Sequence, residues 1–154
     1  MSKQNKENLF LLIKSLSKSE KRQFKLFVGR VKSNKDSKFI KLFNLLDKST
    51  IYNEIEILKK KIVTKQQLSN LKAHLYNQIL QSLRMNPMLQ DNRMLIREQI
   101  DYATVLYQKG LYKQSLKILE KAKNISIDLD EKYSAFEIVE IEKLIESQYI
   151  TKYE

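Results

Sequence analysis

The scarcity of glycine and proline constrains this chain more than any other feature. Only two glycines and one proline occur in its 154 residues. β-Hairpins, dinucleotide-binding folds and phosphate-binding loops rely on glycine for backbone conformations that other residues avoid. Among the common architectures, long helices joined by short polar connections are the one that needs little glycine or proline. Hydrophobic residues make up 42% of the chain, which is enough for a buried core. The sequence therefore predicts an all-α protein, a helical array of about eight helices.

Apolar residues recur at intervals of three and four, which is the helical period. Ser17 with Glu20 and Thr64 with Gln67 have the spacing of capping boxes, so helices are predicted to begin at both places. The third helix is predicted to follow a break at residues 34–37. Thr50 is the predicted cap of a fourth helix, whose predicted apolar positions are Ile51, Ile55, Leu58 and Ile62.

Asn86 and Pro87 form the predicted boundary between two regions, because proline disfavours helix in the residue before it and suits the first helical position. Residues 1–86 are predicted to be a basic region of about five helices. Residues 87–154 are predicted to form a helical hairpin and one further helix, sharing a continuous core with the first region. Carboxylates at Asp128 and Asp130 favour the start of that last helix there.

Charge is distributed unevenly between the two halves of the chain. Residues 1–77 hold 18 Lys or Arg against 6 Asp or Glu, a net of +12, whereas residues 78–154 hold 11 against 12, a net of −1. A basic half joined to a neutral half suggests an anionic partner, of which nucleic acid is the commonest. A lysine-rich, solvated helix surface is the other explanation of the same pattern.

One row of basic residues follows a flank of the second predicted helix, beside an apolar side that includes Phe24 and Phe27. Such a row could track a phosphate backbone and give salt-dependent binding without sequence preference. The two aromatic residues lie on the apolar side and are interpreted as core residues, not as stacking platforms for bases. The candidate nucleic-acid contacts are Lys18, Lys21, Arg22, Lys25 and Lys32.

Residues 98–125 combine small, turn and apolar residues at fixed spacings. Ala103 is small where two helices would cross closely, Gly110 permits a left-handed backbone between them, and Ser115 occupies the small position facing Ala103. The other members of the pattern are Tyr102, Leu106, Leu111, Tyr112, Leu119 and Ala122. Together they resemble a tetratricopeptide repeat, which is a hairpin of two antiparallel helices.

The resemblance has departures and implications. Gln99 occupies a site that usually holds a large apolar residue, Ser115 replaces the usual alanine, and Ile127 stands where proline often closes the repeat. A repeat of this kind implies binding of a peptide or partner helix on the face of its first helix. By the family's register, that face would present Arg97, Ile100, Thr104, Tyr107 and Gln108.

A single repeat cannot bury its own faces, so this hairpin must pack on neighbouring helices or on another chain. The eighth predicted helix, ending near Tyr149, is apolar on more than one face. Two alternatives follow: self-association through this helix, or a chain that is the N-terminal part of a longer repeat protein.

Catalytic and metal-binding groups are scarce. His74 is the single histidine and there is no cysteine, so zinc sites and most pairs of nucleophile and base are unavailable. Asp128, Asp130 and Glu131 lack the glycine and the distal glutamate of a calcium loop. The sequence thus predicts a protein that is not an enzyme and that needs no cofactor or metal.

The function predicted from sequence is a protein-binding module or scaffold, with nucleic-acid binding by the basic half as the alternative. The polar N-terminus and the short apolar run at residues 9–13 offer neither a signal-peptide core nor a membrane span. A cytoplasmic location and no membrane contact are therefore expected.

Overall fold

A computed structural model describes the backbone of residues 4–30 and 34–153. It describes the side chains of residues 8–30 and 38–149. Apart from short connections and a 3₁₀ turn at Pro87–Leu89, the described chain is α-helical and contains no strand, so the all-α prediction is confirmed. The helices are α1 (Gln4–Ser15), α2 (Lys18–Gly29), α3 (Asn34–Lys48), α4 (Glu54–Lys59), α5 (Lys65–Arg84), α6 (Asn92–Gln108), α7 (Tyr112–Asp128) and α8 (Lys132–Tyr153).

The chain forms two compact units, Met1–Pro87 and Met88–Glu154. In the first unit α3 and α5 contact each other, and each of them also contacts α1 and α2. The rings of Phe24 in α2 and Phe43 in α3 lie 4.7 Å apart within the core. Lys21 of α2 and Asp47 of α3 form an ion pair of 2.6 Å beside this contact. The remaining buried apolar residues of the unit are Leu9, Ile13, Leu16, Val28, Phe39, Leu42, Leu46, Ile57, Val63, Leu68, Leu75 and Ile79.

Both predicted capping boxes are confirmed. The backbone N–H of Glu20 donates to Ser17 Oγ at 3.2 Å, and the N–H of Ser17 donates to the Glu20 carboxylate at 2.7 Å. Thr64 and Gln67 exchange the same pair of bonds at the start of α5. These bonds satisfy backbone donors that the first turn of a helix leaves exposed.

The fourth helix differs from its prediction in both its start and its buried face. Asn53, not Thr50, is the cap, because its side-chain oxygen accepts from the N–H groups of Ile55 and Glu56. The buried residue is Ile57, whereas Ile51 and Ile55 are both exposed. The spacing of apolar residues correctly predicted a helix here. Which face of that helix is buried depends on its contacts with the rest of the unit, and that face carries Ile57.

Other boundaries also differ from prediction. The third helix begins at Asn34, so residues 34–37 are helical and do not break the chain. Asp128 ends α7, while Asp130 lies in the connection before α8, which continues to Tyr153.

The second unit is a set of three helices around its own core. Its buried apolar residues come from all three: Ile96, Ile100 and Ala103 of α6, Leu119 and Ala122 of α7, and Ile138 and Ile145 of α8.

Candidate interaction surfaces

The connection between α6 and α7 is a tight turn centred on Gly110. This residue has φ +75°, the left-handed conformation that the sequence pattern requires. The N–H of Leu111 donates to the carbonyl of Leu106, and the N–H of Gly110 donates to that of Tyr107, both at 2.9 Å. This pair of bonds is the Schellman arrangement, which satisfies the last carbonyls of α6 and reverses the chain.

The two helices of the hairpin cross at Ala103 and Ser115, as the spacing predicted. Both residues are fully buried, and Ser115 Oγ donates a 2.7 Å hydrogen bond to the Ala103 carbonyl. Serine at this position therefore keeps the close approach that alanine would allow and adds a bond between the helices.

The third helix of the unit, α8, runs parallel to α6 and antiparallel to α7. Arg97 of α6 pairs with Glu137 of α8 at 2.7 Å, and Arg93 of α6 pairs at 2.8 Å with Glu131, the residue just before α8. The partners of these pairs advance in the same direction along the chain, as expected because two chain reversals separate α6 from α8.

The turn before α8 repeats the geometry of the turn before α7. Asp130 has φ 56°, and the N–H of Glu131 donates to the Ser126 carbonyl at 2.7 Å. The N–H of Asp130 donates to the carbonyl of Ile127 at 3.1 Å. Asp130 thus occupies the left-handed position that glycine occupies in the first turn.

The five residues expected to form a partner-binding face on α6 have different environments. Ile100 lies in the core with 4% of its surface exposed, so it packs inside the unit and is not part of a surface. Arg97 is exposed and paired with Glu137 of α8. These two residues serve the packing of the three helices.

The other three residues of that set lie nearer the end of α6. The hydroxyl of Tyr107 hydrogen-bonds with Gln148 of α8, and its ring lies 5.6 Å from that of Tyr112. Thr104 and Gln108 are exposed, and the Thr104 hydroxyl donates to the carbonyl of Ile100 in its own helix. A partner on this face would meet α8 as well as α6.

A more exposed apolar surface lies on α8, on the side opposite its buried residues Ile138 and Ile145. Tyr133 is 89% exposed, Phe136 is 68% exposed and Leu144 is 52% exposed. At about 100° per residue, these three positions fall on one face of the helix with two exposed polar residues. We name this set the outer stripe: Tyr133, Phe136, Glu140, Leu144 and Ser147.

The sequence predicts a last helix that is apolar on more than one face, but it does not single out the outer stripe. The signal that could have found it is the spacing of 3, 4, 4 and 3 residues across positions 133–147. Without a structure, the same helix offered a second apolar set, at Ile138, Ile141 and Ile145, and either set could have been the core.

Of the row of basic residues predicted on α2, two side chains contact residues of α3. Lys21 pairs with Asp47 of α3, and the ammonium of Lys25 lies 5.8 Å from the centroid of the Phe43 ring, over the ring. Lys18 and Arg22 are exposed. The fifth residue of the predicted set, Lys32, lies outside the described residues.

A polar cluster connects α4 and α5 in the first unit. Lys72 Nζ donates to the hydroxyl oxygen of Tyr52 at 2.7 Å and lies 3.9 Å from the Glu54 carboxylate. Burial, together with the negative charge and hydrogen bond of Glu54, raises the pKa of Tyr52 from 10.0 to about 12. The Tyr52 ring also lies 6.3 Å from that of Phe10, so the cluster fixes α4 against α1 and α5.

A surface groove of about 410 Å³ lies between α7 and α8. Lys123 and Glu142 form a 2.7 Å ion pair across it. Its lining is dominated by charges of both signs, which does not define one class of ligand. The lining residues are Lys113, Leu116, Lys117, Glu120, Lys123, Glu142 and Glu146.

The described side chains that could serve catalysis or metal binding do not form a cluster. The His74 ring is exposed and lies 5.3 Å from the ring of Phe39, an aromatic contact on the side of the core. Among the described side chains, no group of three or more histidine, aspartate or glutamate residues is placed to hold a metal ion. In the same part of the chain, no helix combines the length and apolarity that a bilayer crossing requires.

No family model, curated protein or solved structure matches this chain. The geometry of its own residues is therefore the basis on which a function can be proposed.

Proposed function

We propose that this protein is a non-catalytic protein-binding module that docks a helix on the outer stripe of α8. The observation that carries the proposal is the exposure of Tyr133 at 89% and Phe136 at 68% on one face of a well-packed unit. Aromatic side chains offer a large contact area with few rotatable bonds, and they are enriched at protein interfaces. Isolated apolar residues are common on surfaces, but their alignment on one face of one helix supports a role in contact with a partner.

A helical partner suits this surface better than an extended peptide. The stripe is straight, one residue wide, and runs along α8 for about 20 Å at 1.5 Å per residue. Apolar side chains spaced by three and four residues on a second helix would lie along it, as in other helix recognition. The tetratricopeptide resemblance of residues 98–125 supports the same class of function, because such hairpins commonly present helices to partners.

Photo-crosslinking in cells tests this function. A benzophenone amino acid is placed at position 136 in one variant and at position 127 in another. Ile127 is the matched control, because it is 62% exposed, apolar and in the same unit, but lies at the end of α7. We expect covalent adducts with another polypeptide from position 136 and few from position 127; equal yields, or none from either, would refute the proposal.

Nucleic-acid binding by the first unit is the second candidate. The observation favouring it is the exposure of Lys18 and Arg22 on α2, in a half of the chain with a net charge of +12. Lys25 is exposed as well, whereas Lys21 is paired with Asp47, so the row has one charge fewer to offer than the sequence suggested.

The charge-reversed variant K18E/R22E tests the second candidate, with K59E/K60E as a control of equal charge change on exposed residues. Binding of mixed-sequence DNA and RNA at low salt should be lost in the first variant and retained in the second. Absence of binding by the unaltered protein, or equal loss in both variants, would remove nucleic acid from consideration.

We also propose that the module acts in the cytoplasm, which agrees with a sequence that contains no cysteine.

A further inference from the structure

We propose that the helix docked on the outer stripe is α8 of a second copy of this chain, paired antiparallel about a two-fold axis that passes beside Glu140. This inference rests on the proposed role of the stripe as a binding surface. It names the occupant of that surface and the register in which it binds.

The spacing of the outer stripe is symmetric about Glu140. Phe136 and Leu144 lie four residues on either side of it, and Tyr133 and Ser147 lie seven residues on either side. A two-fold axis at Glu140 therefore places Phe136 of one copy opposite Leu144 of the other, and Tyr133 opposite Ser147. Isologous interfaces require such a self-complementary surface, because each residue i that contacts j is matched by j contacting i.

The apolar contacts of this register are complementary in size. Each aromatic ring meets a smaller side chain, so neither ring needs to displace another ring. The hydroxyl of Ser147 donates to the Leu144 carbonyl of its own helix at 2.8 Å, so a bond within α8 accommodates this polar group beneath the Tyr133 ring. Pairing can therefore exclude water from both ends of the stripe while the Ser147 hydroxyl keeps a hydrogen-bond partner.

Charge at the centre of the register is also balanced. Lys143 Nζ lies 3.1 Å from the Glu140 carboxylate in the same helix, and both side chains are exposed. Pairing about Glu140 brings two carboxylates and two ammonium groups together, with each Lys143 next to the Glu140 of the other copy. The centre is neutral in total, and each charge has an opposite charge on both helices.

The size of the surface predicts weak association. Two aromatic rings and one leucine from each copy bury a few hundred Å² per copy, below the roughly 800 Å² per partner of a standard stable interface. We therefore expect a dimer that dissociates on dilution and forms at high local concentration.

Sedimentation velocity on the full chain, from low micromolar to near-millimolar concentration, tests the inference. The unaltered protein should shift from monomer to dimer as its concentration rises. F136E should raise the dissociation constant by about tenfold or more, because it places a charge in the apolar contact, whereas I127E should leave it unchanged. Circular dichroism of each variant checks that these exposed substitutions leave the fold intact.

Charge reversal at the centre tests the register itself. K143E gathers four carboxylates at the two-fold axis and E140K gathers four ammonium groups, so each variant alone should be monomeric. An equimolar mixture of the two restores opposite charges across the axis and should give heterodimers, detectable by native mass spectrometry. Homodimers of either variant with unaltered affinity, or a mixture that stays monomeric, would overturn the register.

The outcomes separate this inference from the proposed function. A protein that stays monomeric at all concentrations, yet forms adducts with a different polypeptide from position 136, refutes self-pairing and leaves protein binding standing. A monomer that forms no adduct from position 136 refutes both. A dimer that F136E and I127E weaken equally refutes the outer stripe as the interface between copies.

Discussion

The hydroxyl of Ser115 in α7 and the carbonyl of Ala103 in α6 form a buried 2.7 Å hydrogen bond at the point where the two helices cross. Both side chains are small enough to let the two backbones approach, and neither residue has any exposed surface. The hairpin is therefore held by a close contact whose geometry depends on residue size as well as on hydrogen bonding.

Substitution of Ser115 separates these two contributions. S115A removes the bond but keeps the small size, so we expect the free energy of unfolding to fall by about 1 kcal/mol. S115L also forces extra atoms into a filled crossing, which should add roughly 1–3 kcal/mol of destabilisation. Urea unfolding followed by circular dichroism measures both. An S115L variant as stable as S115A would show that the crossing has room to spare.

Gly110 and Asp130 occupy equivalent positions in two similar turns, so substituting each tests the cost of a left-handed backbone at that position. Both occupy the left-handed region, with φ +75° and 56°, and no atom lies within 4 Å of a Cβ placed on Gly110. G110A should therefore lose about 1 kcal/mol through backbone strain alone, and D130G should gain up to about 1 kcal/mol. Loss of the exposed ion pair between Asp130 and Lys132 should have little effect. Thermal unfolding of the two variants checks the opposite signs.

The start of α4 offers a test of which residue is the cap. Because Asn53 accepts two backbone hydrogen bonds, N53A should reduce stability by about 1 kcal/mol. T50A should change it by less than about 0.5 kcal/mol, since Thr50 is exposed and lies outside the helix. Equal effects in chemical denaturation would contradict the assignment of the cap to Asn53.

The raised pKa of Tyr52 predicts a stability change at alkaline pH. Below pH 10 the hydroxyl is protonated in both the folded and unfolded states, and the bonds to Lys72 and Glu54 stabilise the fold. Between the unfolded pKa of 10.0 and the folded pKa of about 12, the unfolded chain loses the proton while the folded chain retains it. Stability that depends on Tyr52 is therefore lost as pH rises through this window.

The variant Y52F removes the Tyr52 hydroxyl and so isolates its contribution to stability. At neutral pH the unaltered protein should be more stable by about 1 kcal/mol because it keeps the hydrogen bonds of the hydroxyl. The difference should shrink as pH rises from 10 to 12, as measured by denaturant unfolding at a series of pH values. A difference that stays constant with pH would contradict a raised pKa.

Several features of the fold followed directly from short-range sequence chemistry. The capping boxes at Ser17 and Thr64 and the glycine turn at Gly110 depend on residues no more than five positions apart. Their bonds form within one turn of helix, so the local sequence contains everything that decides them. The crossing of Ala103 and Ser115 was also predictable, because the short turn fixes how the two helices meet.

The local sequence did not determine which face of each helix is buried. Ile55 and Ile57 lie two positions apart and so face different sides of α4, and only Ile57 lies in the core. Ile100 was expected on a binding surface, but α8 packs beside α6 and encloses it within the unit. In each case the deciding contact comes from a helix far away in the chain, which short-range spacing does not specify.

By itself the sequence determined that this protein is helical, where α2 and α5 begin, and how the α6–α7 hairpin turns. Those outcomes rest on glycine scarcity, helical spacing and caps, all of which act over a few residues. Only the tertiary structure decided that α8 buries Ile138 and Ile145 and leaves Tyr133 and Phe136 in solvent. The helix is apolar on both faces, so its orientation depends on ion pairs and packing with α6 and α7, not on its own pattern.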